Sequence, residues 1–235
     1  MEIIEYLVKG LKHHYKIFVP IDYDIIHPKT YEKIRIGRYE YGMIRRMKYL
    51  VKPEDSIIEF GTGIGLTAIV ASKLSRNVVT TVDCNPNDKL RKFRDKFWKI
   101  NEVNVNYIHG AITKQKGMLE VERGDRKVAF SSGASIIPMG KPTGDFVPCL
   151  DIRETVINSD ANILLADIEG SELELIETEW TDNIRMAMIE LHTEKYIKIM
   201  KIGNKDIENM GRYFKDRGFN IKSPSCRGKQ LVVWK

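Results

Sequence analysis

The sequence predicts an α/β fold: a mostly parallel seven-stranded sheet, doubly wound, with helices on both faces and an antiparallel C-terminal hairpin. Three observations lead there. Residues 56–68 read as a buried strand, a glycine-rich turn and the start of a helix. Ile57, Ile58 and Phe60 suit a strand covered on both faces, and the glycines allow a sharp turn with close backbone approach. Two further apolar or β-branched runs, residues 77–83 and 161–167, end on the carboxylates Asp83 and Asp167. The chain finishes with two strands, residues 219–222 and 230–234, around a turn-forming stretch.

The elements follow in order. Ile3, Ile4, Leu7, Val8 and Leu11 recur at helical spacing, so the sequence predicts a first helix with Lys12-His13-His14-Tyr15-Lys16 as its polar end. Residues 17–38, broken by Pro20 and Pro28, read as short extended pieces. A helix over residues 43–50 stops before Pro53. Residues 1–50 thus form an N-terminal extension, a lid over the acceptor or a flap on the sheet edge, and residues 51–235 form the main domain. After Asp83, Asn85 or Asn87 caps a helix over residues 89–100, with Phe93, Phe97 and Trp98 inward and its Lys and Arg on a solvated face. Residues 104–112 give the third strand and its tip; His109 reads as structural. Residues 117–130 carry a hairpin signal around Arg123-Gly124-Asp125-Arg126, and residues 131–144 read as a loop. This insertion, about residues 117–147, suits acceptor recognition.

Beyond the insertion, Asp151-Ile152 opens a helix, and the strand ending at Asp167 runs into a turn and another helix. The next strand, residues 184–191, ends in Glu190-Leu191-His192. Ligands of open α/β sheets lie outside the carboxyl ends of the strands. Asp167, Glu169, Glu190 and His192 are therefore expected to converge there. A last helix, residues 204–217, closes at Gly218.

Composition bounds the remaining possibilities. A chain of 235 residues, 43% hydrophobic and 30% charged, supports one soluble domain with a sizeable core. No apolar run approaches the roughly 20 residues needed to span a bilayer. The start, Met1-Glu2-Ile3-Ile4-Glu5, lacks the features of a signal peptide. Cys84, Cys149 and Cys226 are odd in number and widely spaced, which fits a reducing, cytoplasmic setting and neither a disulfide frame nor a zinc site. The formal charge of +6 permits an anionic partner such as RNA without demanding one.

The turn itself indicates a ligand. The dinucleotide fingerprint G-x-G-x-x-G is not met, because Gly65 comes one place early and Leu66 stands where the third glycine belongs. Glu59 would repel a pyrophosphate but attract a sulfonium or ammonium group. Glu59-x-Gly61-x-Gly63-x-Gly65 resembles the first motif of the Rossmann-like, class I S-adenosylmethionine-dependent methyltransferases. S-adenosyl-L-methionine is then the expected cofactor, with Glu59, Gly61, Thr62, Gly63 and Gly65 at the turn. Asp83 is expected on the ribose hydroxyls, with Cys84 beside it and Ala111 flanking the adenine. The competing role for Asp83 is a helix cap. The antiparallel closing pair of strands is the methyltransferase variant of the doubly wound fold.

A second resemblance is carried by Asp167-Ile168-Glu169-Gly170-Ser171-Glu172 and the later Glu190-Leu191-His192. These residues resemble the FkbM-type methyltransferase family, whose pattern is a lysine, then D-x-E-G-x-E, then E-x-H after another strand. Tyr39-Glu40 and Asp151-Ile152 also fit, so the resemblance spans roughly residues 39–192. Leu165 and Ala166 stand where the family has its lysine, and the family's D-x-G-A-N-x-G is replaced by the glycine motif above. The resemblance implies methylation of a small-molecule hydroxyl, on a sugar or related metabolite. An alcohol must lose its proton near the transition state. Asp167 is the expected base, supported by Glu190 and His192; no metal is assigned, although these groups suit a divalent cation as an alternative. Glu172 reads as a helix-capping charge. The competing readings are an RNA methyltransferase, which lacks the expected Asn/Asp-Pro-Pro-aromatic tetrapeptide, and a non-enzymatic nucleotide-binding protein.

Overall fold

The computed structural model describes residues 2–9, 14–123, 134–135, 141–169, 171–176, 179–191, 204–222 and 230–235. Its centre is a seven-stranded sheet built from β3 (Ile57–Phe60), β4 (Val79–Asp83), β5 (Val105–His109), β10 (Ile163–Ala166), β11 (Met186–Glu190), β12 (Asn220–Lys222) and β13 (Gln230–Trp234). The spatial order is β12-β13-β11-β10-β3-β4-β5. β3 pairs in parallel with both β4 and β10, and β10 with β11, whereas β13 runs antiparallel between β11 and β12. The order departs at β10 and β4 in opposite directions from β3, which makes the tip of β3 the switch point where doubly wound sheets bind ligands. This is the mostly parallel seven-stranded sheet with an antiparallel C-terminal hairpin that the sequence predicts.

All four residues of β3 and of β10 are buried, as strands covered on both faces require. On one face Ile57, Ile163 and Leu165 pack with α2 (Tyr41–Leu50), α3 (Leu66–Ser75) and α4 (Asp88–Ile100). On the other, Ile58, Phe60 and Leu164 pack with α5 (Ile152–Asn158) and α6 (Asn204–Asp216). Asn87 caps α4 and Asp151 caps α5, each side chain accepting a backbone N–H of the first turn. At the amino ends of the strands, the buried Asp55 accepts from Arg185, Asn162 and the Lys52 amide, tying the entries to β3, β10 and β11 together.

The N-terminal region corrects the sequence reading. The expected first helix is a strand, β1 (Glu2–Lys9), paired antiparallel with β2 (His14–Ile21). Apolar positions 3, 4, 7 and 8 fit either period; the structure buries Tyr6 and Val8 and exposes Ile3 and Leu7, a period of two. The extended reading of residues 17–38 holds for β2 but fails at α1 (Pro28–Arg35), where Pro28 occupies the first helical turn and the His27 side chain caps it. The hairpin packs into the same core as α1, α2 and α4. Asn101 exchanges two hydrogen bonds with the Phe18 backbone, and Tyr6 donates to the Tyr39 carbonyl.

The insertion forms a four-stranded sheet in the order β6 (Ala111–Ile112), β9 (Lys141–Leu150), β7 (Met118–Arg123), β8 (Ala134–Ser135). The expected partner strand at residues 127–130 lies outside the described residues. The described partners of β7 are β9 and β8, so the loop expected over residues 131–144 contains strand at Ala134–Ser135 and is strand again from Lys141. After β10 the chain makes a 3-10 helix, Ser171–Ile176.

Candidate functional site

A cleft of about 630 Å³ opens at the carboxyl ends of β3, β4, β10 and β11, within the usual range for small-molecule sites. Of the expected cofactor residues, Glu59, Gly61, Thr62, Gly63, Asp83, Cys84 and Ala111 line it, as do Asp167, Glu169 and Glu190. His192 lies outside the described residues. Gly65 sits between the lining residues Ile64 and Leu66, and a β-carbon there would meet the Trp98 indole nitrogen at 2.6 Å. Trp98 also donates to the Gly65 carbonyl, so this glycine serves helix packing. Gly61 is required by a different neighbour, since its β-carbon would fall 1.8 Å from the Asp167 carbonyl oxygen. That contact is where the tips of β3 and β10 converge.

Glu59 is buried beneath the turn. Its carboxylate accepts from the Thr67 hydroxyl and, at 3.0 Å, from the Thr81 hydroxyl, which is itself hydrogen-bonded to Thr62. Burial pushes its pKa up to about 7 against the opposing effect of those two hydroxyls. Glu59 therefore holds its proton until near neutral pH, and its oxygens clamp β3, β4 and α3.

Asp83 is more heavily engaged than its sequence position suggests. One oxygen accepts from the Thr62 and Gly63 amides at 3.0 and 3.2 Å and stands 2.9 Å from Arg94 Nη2. The other accepts from the Asn85 amide at 2.7 Å, which leaves it further acceptor capacity. The helix-cap role is taken by Asn87. Cys84 is half-buried, and burial followed by the Asp83 charge pushes its thiol up to about 12, which makes it inert as a nucleophile.

Arg94 is a functional candidate the sequence reading placed on a solvated face. It is 1% exposed. Leu90, Phe93, Arg94, Phe97 and Trp98 form one buried stripe of α4, and that spacing was the available signal. Its Nε donates to the Gly63 carbonyl at 2.7 Å, and its guanidinium lies 5.4 Å over the Tyr107 ring. Nη2, although at ion-pair distance from Asp83, is not aligned for a hydrogen bond.

At the other end of the cleft, Glu40, Asp167 and Glu190 bring one carboxylate oxygen each to within 4.8 Å of one another. Glu40 precedes α2, so the loop after α1 supplies an acid absent from the expected catalytic set. At about 5 Å and an effective dielectric near 20, each such pair repels by roughly 3 kcal/mol. The set has the hard oxygen donors that a divalent cation takes. Gln230 donates to Glu190 at 3.1 Å and is held in turn by Arg46. Glu40 and Glu169 both adopt left-handed backbone, φ +50° and +49°, a strain of order 1–3 kcal/mol for a non-glycine residue. The Tyr39 hydroxyl is pushed well above its usual pKa by burial and then by Glu40, Asp167, Glu169 and Glu59. His27, Lys29 and Lys33 bring a basic rim from α1.

No protein-family model matches the chain, and no curated protein matches it. Solved structures do. A methyltransferase from Pyrococcus furiosus is 15% identical over 91% of this chain and 89% of its own, with a TM-score of 0.46. An O-methyltransferase from Bacillus cereus in complex with SAH is 11% identical over 92% and 84%, with a TM-score of 0.44. M. jannaschii TYW2 in complex with AdoMet is 15% identical over 97% and 84%, with a TM-score of 0.41. At these scores nothing about donor or acceptor passes from them to this chain.

Proposed function

We propose that this protein is an S-adenosylmethionine-dependent methyltransferase that acts on a hydroxyl of a small molecule. The observation that carries the reading is the charge of the cleft around the glycine turn. Glu40, Glu59, Asp83, Asp167, Glu169 and Glu190 line it, against Lys29, Lys33 and Arg94. A net-negative wall suits a donor bearing sulfonium and ammonium groups and repels a pyrophosphate. The cleft volume and the remaining acceptor lone pair on Asp83 also fit that donor.

Bound there, the sulfonium supplies an activated methyl group. The chain's own work is alignment and proton transfer. Asp83 holds the ribose edge through the oxygen bonded to the Asn85 amide. Thr62 and Gly63, fixed by their amides on Asp83, present bare backbone to the donor. Asp167 takes the proton of the attacking hydroxyl as its oxygen bonds to the methyl carbon, and the electron pair of the broken carbon–sulfur bond stays on sulfur. Glu190, oriented by Gln230, and Glu40 hold the acceptor's polar edge. His192 remains a supporting candidate from its E-x-H position.

Within this class the D-x-E-G-x-E and E-x-H residues favour an FkbM-type enzyme and a sugar-like acceptor. RNA is the alternative acceptor, favoured by the charge of +6 and the lysines on the cleft rim. No helix among the described residues is long and apolar enough to cross a membrane, and a cytoplasmic setting suits the widely spaced thiols Cys84 and Cys149. Calorimetry with S-adenosylmethionine tests the reading: the wild-type chain binds, and Asp83→Ala weakens binding. Absence of binding by the wild type refutes the enzyme reading. Titration with RNA at two salt concentrations separates the acceptors, because a nucleic-acid site gives a steep salt dependence.

A further inference from the structure

The proposed chemistry leaves one buried cation of the cleft, Arg94, without a task. The turn between β3 and α3 carries Gly61, Gly63 and Gly65, all at positive φ, and glycines do little to restrain a backbone. Restraint comes from outside the turn. Asp83 receives the amides of Thr62 and Gly63, and Arg94 donates to the Gly63 carbonyl at 2.7 Å. These two residues thus grip both polar edges of one short segment. Arg94 lies in an apolar stripe of α4 where a methionine of similar volume would also pack. Packing alone does not explain an arginine there.

We infer that Arg94 is a positioning residue for the donor's ribose, acting through Asp83 and the glycine turn. The inference rests on the cofactor reading given above. Arg94 stands at the Asp83 oxygen that receives the two turn amides, while the second oxygen, bonded to the Asn85 amide, has acceptor capacity left for the ligand. The Tyr107 ring beneath the guanidinium and the Tyr107 hydroxyl, 3.4 Å from the Asp83 carbonyl, extend the brace to β5. The turn is therefore set before a ligand arrives, which spares the ordering cost on binding. The sequence signal is an arginine at the position of an inward helix stripe, six residues into the helix that follows the acid-tipped strand.

The test compares S-adenosylhomocysteine with its 2′,3′-dideoxyribose analogue by calorimetry on the full chain. Wild type, Arg94→Met, Arg94→Lys, Asp83→Asn and the Arg94→Met/Asp83→Asn double variant are titrated with both. Wild type prefers the ligand with ribose hydroxyls, and Arg94→Met lowers that preference by about tenfold, the scale of one charge-assisted hydrogen bond. The double variant shows no greater loss of preference than Asp83→Asn, because Arg94 works through that carboxylate. Arg94→Lys, which keeps the charge without the planar fork, retains an intermediate preference and serves if the methionine variant does not fold. Equal loss of affinity for both ligands, or additive losses in the double variant, overturns the inference while leaving the cofactor reading standing. A wild-type chain that binds neither ligand overturns both.

Discussion

Glu59 gives the sharpest test of how the site is held together. Its pKa rises from an ordinary 4.5 to about 7 because burial disfavours the charged form more than the Thr67 and Thr81 hydroxyls favour it. The folded chain therefore keeps a proton that the unfolded chain releases. Its stabilising contribution is complete below pH 4.5 and is lost as pH rises through 7. At 1.36 kcal/mol per pH unit, the difference between the ends of that window is roughly 3 kcal/mol. Glutamine at this position cannot ionise, yet its carbonyl still accepts from one threonine hydroxyl and its amide donates to the other. Urea unfolding of wild type and Glu59→Gln at a series of pH values isolates the effect, since other titrating groups cancel in the difference. The variant gains on wild type by roughly 3 kcal/mol between pH 4.5 and pH 8. A difference that stays flat across the window, or that moves the other way, refutes the account of Glu59 as a buried, proton-holding clamp. A cationic donor bound nearby favours the ionised form, so binding below pH 7 releases a proton, which calorimetry in buffers of different ionisation enthalpy detects.

Other consequences can be checked alongside. Asp55, nearly fully buried, is held below its ordinary pKa because Arg185, the Lys52 amide and Asn162 outweigh the opposing effect of burial. Asp55→Ala should cost about 3–5 kcal/mol in denaturant unfolding with S-adenosylhomocysteine affinity unchanged, since it sits at the opposite ends of the strands; a large affinity loss contradicts that separation. Asp167→Asn should leave S-adenosylhomocysteine affinity within about threefold while slowing methyl transfer by about 10²–10⁴; unchanged turnover removes Asp167 as the base. Gly61→Ala should destabilise the chain severely, because its β-carbon meets the Asp167 carbonyl at 1.8 Å, whereas Gly37→Ala, with no atom within 4 Å, should cost only about 1–2 kcal/mol for its left-handed backbone. Comparable melting temperatures for the two alanine variants contradict the close approach of β3 and β10.

Much of this architecture is legible from residue pattern alone, for a physical reason. β3 and β10 are buried on both faces, and so read as apolar runs interrupted only by Glu59; the carboxylates and glycines that follow them mark where the sheet stops and a ligand begins. The N-terminal hairpin is different. Its apolar positions satisfy two periodicities, and only pairing with β2 decides between them. Glu40 is invisible as a site residue because its partners Asp167 and Glu190 are distant in sequence, and local chemistry at residues 39–41 says nothing of a fold that returns there. Arg94 is a milder failure: its residue type says solvent, its spacing says core, and spacing prevailed because Gly63, Asp83 and Tyr107 supply what a buried guanidinium needs.

The position of β13 has a bearing on how the molecule comes into being. It lies between β11 and β12, yet it is synthesised after both. Until β13 is made, β11 has an open edge of unpaired backbone that invites adventitious pairing, and β12 has no partner in the sheet. Gln230, the first residue of β13, is also the donor to Glu190. Closure of the sheet and the setting of that acid are thus a single late event, and a nascent chain halted before Gln230 has neither.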